Sequence, residues 1–252
     1  MMQHKSCIIT ETSSRYQRTK ELIKDFESLA ASRFPKSPDK ERIFDALTVM
    51  LDIHSDQKDR PDGQPYVNHP LEVALQVLGE YKITDPDLVI AALLHDSFED
   101  QEAKLATLCL PGKGSNWDGS YELLEEKLSE RFGRRAVKLI KQLTNPDFNG
   151  ITDQQKRNRL YLNHFKNLFL DKDPSASLIK IADFSRNALQ LDLIEQGPKK
   201  AKLLKKYCPV IKFLLKHLES MTDSTHPLFE SRYLICGKLR TALERDCRGV
   251  EE

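Results

Sequence analysis

Residues 88–100 read LVIAALLHDSFED. An apolar run ends abruptly in His95 and Asp96, and two further acids, Glu99 and Asp100, follow within one helical turn. If 88–100 is a single helix, residues three and four apart share a face, so His95 lies over Glu99 and Asp96 over both Glu99 and Asp100. A helix C-terminus already carries partial negative charge. Three acids there are unfavourable without a cation, and burial raises the cost unless each is paired or bound to metal. A metal ion meets both demands. The simpler alternative is a solvated acidic turn.

Two other segments offer matching donors. His69 lies in PYVNHPLEVA, where Asn68 is expected as an N-cap and Pro70 is tolerated in a first helical turn. Asp183 lies in SLIKIADFSRNALQL, among Leu178, Ile179, Ile181 and Ala182. Each has a bland reading: His69 as a packing or capping residue, Asp183 as the partner of Lys180 or Arg186. Taken together, His69, His95, Asp96 and Asp183 form a two-imidazole, two-carboxylate set that suits a divalent ion such as manganese, iron or zinc. Such a site can bind a water and lower its pKa. Glu99 and Asp100 are then placed to orient that water or accept its proton.

The elements that must position these residues read as helices. Apolar residues recur at i, i+3, i+4 and i+7 over 16–34, 40–54, 71–81, 88–95, 121–132, 134–143, 154–169, 176–194, 201–218 and 228–247. Strand alternation is absent. The expected class is all-α, an irregular bundle of about ten helices in one domain over 1–252, with its core at about 40–220. Loops are expected at 55–68, 111–119 and 144–152, where Pro, Gly and polar residues gather.

Hydrophobic residues make up 39% of the 252 and charged residues 31%, enough for a sizeable core under a charged surface. The net charge of +1 gives no general pull toward a nucleic acid polymer or a membrane. No apolar run approaches the roughly 18 residues of a membrane span. The N-terminus does not read as a secretory signal. The five cysteines, Cys7, Cys109, Cys208, Cys236 and Cys247, are odd in number and widely spaced. They read as reduced thiols of a cytoplasmic protein, with no disulfide framework.

The order of motifs resembles a known family. His69, then His95-Asp96 after twenty-five intervening residues, then Asp183, is the layout of the HD superfamily of metal-dependent phosphohydrolases. The finer resemblance is to the hydrolase domain of RelA/SpoT-type enzymes and the stand-alone small alarmone hydrolases. It is carried by GQPYVNHPLEVA, AALLHDSFEDQ, FGRRAVKLIKQLT and SLIKIADFSRNALQL, and spans roughly 40–220. It implies hydrolysis of guanosine tetra- and pentaphosphate at the 3′ position, releasing pyrophosphate, usually with Mn2+. It makes His69, His95, Asp96 and Asp183 the ligands and Glu99–Asp100 the pair that activates water. Arg60 matches the arginine that packs on the base, and Asn187 an asparagine that contacts the nucleotide. Chain length suggests the stand-alone form.

The departures from the family pattern fall mainly on nucleotide recognition. Pro61 stands for a lysine, Gln64 for a glutamate, Phe98 for a valine and Phe184 for an arginine, with Arg186 two residues on. Two alternatives therefore stand beside guanine-alarmone hydrolysis. One is an HD phosphohydrolase of an adenine alarmone or NADPH. The other is a non-catalytic nucleotide-binding domain.

Overall fold

The structure is a computed structural model. It describes residues 14–36, 38–60, 62–110, 121–171, 173–189, 191 and 194–248. The expected loop at 111–119 lies outside these. The described residues hold twelve α-helices and no strand, and divide into two compact units, Met1–Thr144 and Asn145–Glu252. The all-α expectation is met.

In the first unit a 3-10 turn, Ser14–Tyr16, leads into α1 (Gln17–Arg33) and α2 (Asp39–Ile53). Then come α3 (Asn68–Leu75), α4 (Pro86–Leu94), α5 (Ser97–Asp100), α6 (Glu102–Cys109), α7 (Tyr121–Phe132) and α8 (Arg134–Leu143). The centre is α4, in which every residue from Leu88 to Leu94 is buried. A helix apolar on all sides has to be surrounded, and α2, α3 and α8 pack on it. Its start is set locally: the Asp85 carboxylate accepts from Asp87 N at 3.0 Å and Pro86 takes the first position.

Gly133, with φ of 88°, turns the chain between α7 and α8. A Cβ there would come within 2.6 Å of the Arg42 guanidinium, which bonds the Phe132 carbonyl and, at 2.5 Å, Asp87. Glycine is required both for the conformation and for the close approach. After Leu75, α3 continues as one π-helical stretch, Gln76–Glu80, where the sequence reads as an unbroken helix. The α6 helix was not expected from periodicity.

The expected single helix over 88–100 is corrected. The chain turns at His95–Asp96, and α5 is a separate short helix. Ser97 Oγ donates to the Leu94 carbonyl at 2.6 Å and His95 Nδ1 to the Ala92 carbonyl at 2.9 Å. Side chains that take helix carbonyls compete with the backbone ladder and mark a break.

The second unit holds α9 (Gln154–Leu170), α10 (Ser175–Leu189), α11 (Pro198–Glu219) and α12 (Arg232–Asp246). Asp153 caps α9 by accepting from Gln155 N at 2.8 Å and Lys156 N at 3.3 Å. Tyr161, Phe165, Phe184 and Tyr207 form an aromatic cluster inside the unit, edge-to-face except for the tilted Tyr161–Tyr207 pair. Cys208 in α11 and Cys247, just past α12, are joined by a disulfide with Cα atoms 5.7 Å apart. That overturns the reading of the cysteines as reduced thiols with no disulfide. The two positions are 39 residues apart in sequence, and only the packing of α12 on α11 makes them neighbours. Cys109 and Cys236 are free thiols.

Candidate metal centre

Three of the four expected ligands come together in the first unit. His69 sits near the start of α3, His95 follows the last residue of α4, and Asp96 forms the turn before α5. One ligand atom from each lies within 4.8 Å of the others. Both imidazoles are buried, with 2% and 1% of their surface exposed, and Asp96 is half-buried. The Asp96 carboxylate spans the two rings: Oδ1 is 3.2 Å from His95 Nε2 and Oδ2 is 3.6 Å from His69 Nε2. The ring centroids are 5.1 Å apart with planes inclined at 66°.

The atoms around the cluster fix its donors. A carbonyl only accepts, so His95 Nδ1 carries a proton, bonded to Ala92 O, and Nε2 is the nitrogen that faces Asp96. Tyr66 Oη donates to Asp96 Oδ2 at 2.6 Å. Burial, then the charge of Asp96, pushes the phenol far above its usual range, so it remains a donor. Two buried imidazoles and a carboxylate, held at this spacing with one ring anchored by the backbone, fit a divalent ion of intermediate hardness.

Asn68 was expected to cap α3. Val67 holds the cap position instead, and Asn68 is the first helical residue. Its buried amide oxygen accepts from Thr19 Oγ1 of α1 at 2.6 Å. The helix that carries His69 is thus tied to α1 by a side-chain bond.

Glu99 and Asp100 lie exposed on α5, with both backbone amides bonded to the Asp96 carbonyl, at 3.2 and 2.9 Å. Asp100 Oδ2 accepts from Gln57 Nε2 at 2.8 Å. Gln57 Oε1 receives two donors, His54 Nδ1 at 2.5 Å and Gln101 Nε2 at 2.9 Å. The His54 ring is buried and stacks on Tyr66 at 5.1 Å. Burial holds its pKa below the usual histidine value, so it stays neutral.

Tyr66, His54 and Thr19 were not singled out from the sequence. Tyr66 lies inside the quoted PYVNHP motif, and His54 and Gln57 stand three apart at the end of α2. Those were the available signals.

Arg60 sits half-buried in the loop between α2 and α3, in a turn closed by Arg60 N to Gln64 O at 3.0 Å and Gly63 N to Arg60 O at 2.9 Å. Phe98 is buried, with 8% exposed.

Asp183 stands in the second unit on α10, buried, with Lys180 Nζ at 3.3 Å and Asn187 Nδ2 donating to it at 2.6 Å. Both neighbours lie on its own helix, one turn away in either direction. Arg186 and Asn187 are half-buried in the last turn of α10. Phe184 is wholly buried against Phe165 and Tyr207.

The HD domain family matches residues 46–209, which includes every residue named for this candidate centre except Thr19. A guanosine-3′,5′-bis(diphosphate) 3′-pyrophosphohydrolase of Aquifex aeolicus is 32% identical over 181 residues, 71% of this chain and 21% of that protein. A GTP pyrophosphokinase of Myxococcus xanthus is 29% identical over 64% of this chain and 18% of its own length. The chain thus spans about a fifth of these two relatives. The human protein named guanosine-3′,5′-bis(diphosphate) 3′-pyrophosphohydrolase MESH1 is 28% identical over 60% of this chain and 70% of its own. A solved structure, described as a metazoan ortholog of SpoT that hydrolyzes ppGpp, aligns over 86% of this chain and 99% of that one. Its TM-score is 0.54 at 21% identity, which is a likeness of fold. With the family matching well over half of its residues, this chain belongs to the HD domain family.

Proposed function

We propose that the protein is a metal-dependent 3′-pyrophosphohydrolase of guanosine 3′,5′-bis(diphosphate), acting as a single HD domain. The observation that carries this is the His69–His95–Asp96 cluster with Glu99 and Asp100 on the next short helix. It stands in a chain similar to several proteins named for that reaction. His69, His95 and Asp96 would hold the ion, and the family layout adds Asp183. We assign Mn2+ as the ion from the family resemblance. When bound, the ion lowers the pKa of a coordinated water and offsets charge on the phosphoryl oxygens.

The chain's own residues supply the rest. Asp96 spans both imidazoles and is held in that orientation by Tyr66. Glu99 and Asp100 are exposed carboxylates, able to accept the proton of the attacking water. Attack on the phosphorus at the 3′ oxygen would release pyrophosphate and leave GDP, or GTP from the pentaphosphate. Arg60 would lay its planar guanidinium on the purine, and Asn187 and Arg186 would contact the nucleotide. A nucleotide substrate goes with a cytoplasmic location. There the Cys208–Cys247 bond would meet a reducing glutathione pool.

The second reading, an adenine alarmone or NADPH as substrate, is favoured by Phe184. That position, an arginine in the family pattern, is a wholly buried aromatic packed on Phe165 and Tyr207. The test is to offer the purified, Mn2+-loaded protein each nucleotide and compare kcat/KM. Preference for guanosine 3′,5′-bis(diphosphate) supports the proposal. Consumption of adenine substrates alone would replace it with the second reading.

A further inference from the structure

Asp100 is the exposed end of a chain of hydrogen bonds that runs back into the core. Its Oδ2 accepts from Gln57 Nε2 at 2.8 Å. A carboxylate has no proton to give at neutral pH, so the amide must present its nitrogen to Asp100 and its oxygen to the other side. On that side two groups converge on Oε1: Gln101 Nε2 at 2.9 Å and His54 Nδ1 at 2.5 Å. Since Oε1 only accepts, His54 carries its proton on Nδ1. Its Nε2 is buried and has no hydrogen-bond partner among the described residues. A lone pair left unmet there costs less than an unmet N–H, which agrees with that tautomer.

The inner end of this arrangement is held in place. His54 is 1% exposed and stacked on Tyr66, the phenol that also holds Asp96. Lys104 of α6 clamps the same corner, reaching the Ile53 carbonyl at 3.2 Å and the Asp56 carboxylate. Flipping the Gln57 amide would aim its oxygen at the Asp100 carboxylate and its N–H groups at two other donors. All three bonds would be lost at once.

We infer that Gln57 is a positioning residue for the proposed hydrolysis: locked by His54 and Gln101, its amide fixes the orientation of the Asp100 carboxylate. The inference rests on the hydrolase reading, in which Asp100 handles the proton of the attacking water. It adds that the carboxylate does not find its own orientation. An exposed aspartate would otherwise sample several rotamers, and misplacement of a reacting group by an ångström can cost about a hundredfold in rate. Groups that orient a metal site from behind are typically worth about 10- to 100-fold.

The experiment compares wild type, Gln57→Glu and Gln57→Met, each loaded with Mn2+, on whichever nucleotide wild type hydrolyses. The glutamate keeps the shape and the acceptor for His54 but sets a carboxylate oxygen against Asp100. The methionine keeps length and removes both donor and acceptor. Alongside the kinetics, nitrogen-15 spectra of the His54 imidazole in the metal-free proteins read its tautomer. We expect kcat to fall about tenfold or more in both variants, with KM within about threefold and metal content and melting temperature retained. We expect the Nδ1–H tautomer in wild type and its loss in Gln57→Met.

Unchanged kcat in both variants overturns the inference. So does a parallel loss of kcat, metal content and melting temperature in both, which would make Gln57 a merely structural residue. If wild type hydrolyses none of the nucleotides, the hydrolase reading fails. The locked amide is then judged on the spectra alone: an Nδ1–H tautomer that depends on Gln57 supports it, and an Nε2–H tautomer overturns it.

Discussion

Replacing Tyr66 with phenylalanine removes one atom from the candidate metal centre and keeps the ring. The hydroxyl donates to Asp96 Oδ2 at 2.6 Å, while the ring stacks on His54 with centroids 5.1 Å apart. Phenylalanine keeps the ring and its stack, so the change removes only what the hydroxyl does, its bond to Asp96 and its interaction with Asp100. A hydrogen bond to a charged group contributes about 1.5–3 kcal/mol, and the half-buried position of Tyr66 favours the lower end. About 1.5 kcal/mol is roughly tenfold in an equilibrium constant. The hydroxyl holds the carboxylate in the orientation that spans His95 Nε2 and His69 Nε2, and the ion would use that orientation. Tyr66→Phe should therefore weaken Mn2+ binding about tenfold. The assay is calorimetric titration of the metal-free protein, with denaturant unfolding of both proteins as a control for fold. An unchanged or tighter Kd in a folded Tyr66→Phe protein would refute the claim that this phenol organises the ligand set.

Thr19→Val removes the donor to the buried Asn68 amide oxygen and leaves that acceptor unmet; stability should fall by about 1–3 kcal/mol in chemical denaturation. The histidine His54 gives a pH signature. Its folded pKa is depressed below the value of 6.5, chiefly by burial, so the unfolded chain binds the extra proton first as pH falls. Its contribution to stability is full above pH 6.5 and declines below it, down through the folded pKa. His54→Gln should flatten that acid-side slope of unfolding free energy against pH, and an unaltered slope would contradict the buried, neutral assignment. The Cys208–Cys247 bond closes a loop across a sequence separation of 39. On the chain-entropy relation that is about 4 kcal/mol of stabilisation, lost with a thiol reductant. Thiol titration of the denatured, unreduced chain should leave these two cysteines unreactive, and reaction of both would show the bond absent.

The parts of the fold that could be read in advance are those set by local pattern. The bounds of α8, 134–143, follow from its apolar stripe and from Gly133, and match to the residue. The grouping of His69 with His95 and Asp96 was likewise legible, because histidine and aspartate at helix ends beside apolar runs are costly unless they have a task. What failed was set by competition or by tertiary contact. The 88–100 run looks like one helix, yet Ser97 Oγ and His95 Nδ1 take backbone carbonyls and break it at His95–Asp96. Asn68 has the composition of a cap, but its amide is spent on Thr19, forty-nine residues away. The disulfide was invisible because no spacing rule relates α11 to the residue after α12. Tyr66 and Gln57 contribute a single hydroxyl and a single amide, whose importance depends on what each meets in space. The partners of Asp183 were half legible: Lys180 was among the candidates, while Asn187, which also bonds it, was expected only to contact the nucleotide.

The account turns on a bound ion and a guanine alarmone, and one measurement joins them. Pyrophosphate release from guanosine 3′,5′-bis(diphosphate) is followed for Mn2+-loaded wild type and for Asp96→Ala, beside the adenine analogue. The account predicts turnover by wild type with a preference for guanine, and loss of at least about a thousandfold in Asp96→Ala together with its metal. Equal turnover by Asp96→Ala, or a wild type that holds the ion and leaves the guanine alarmone intact, would contradict it.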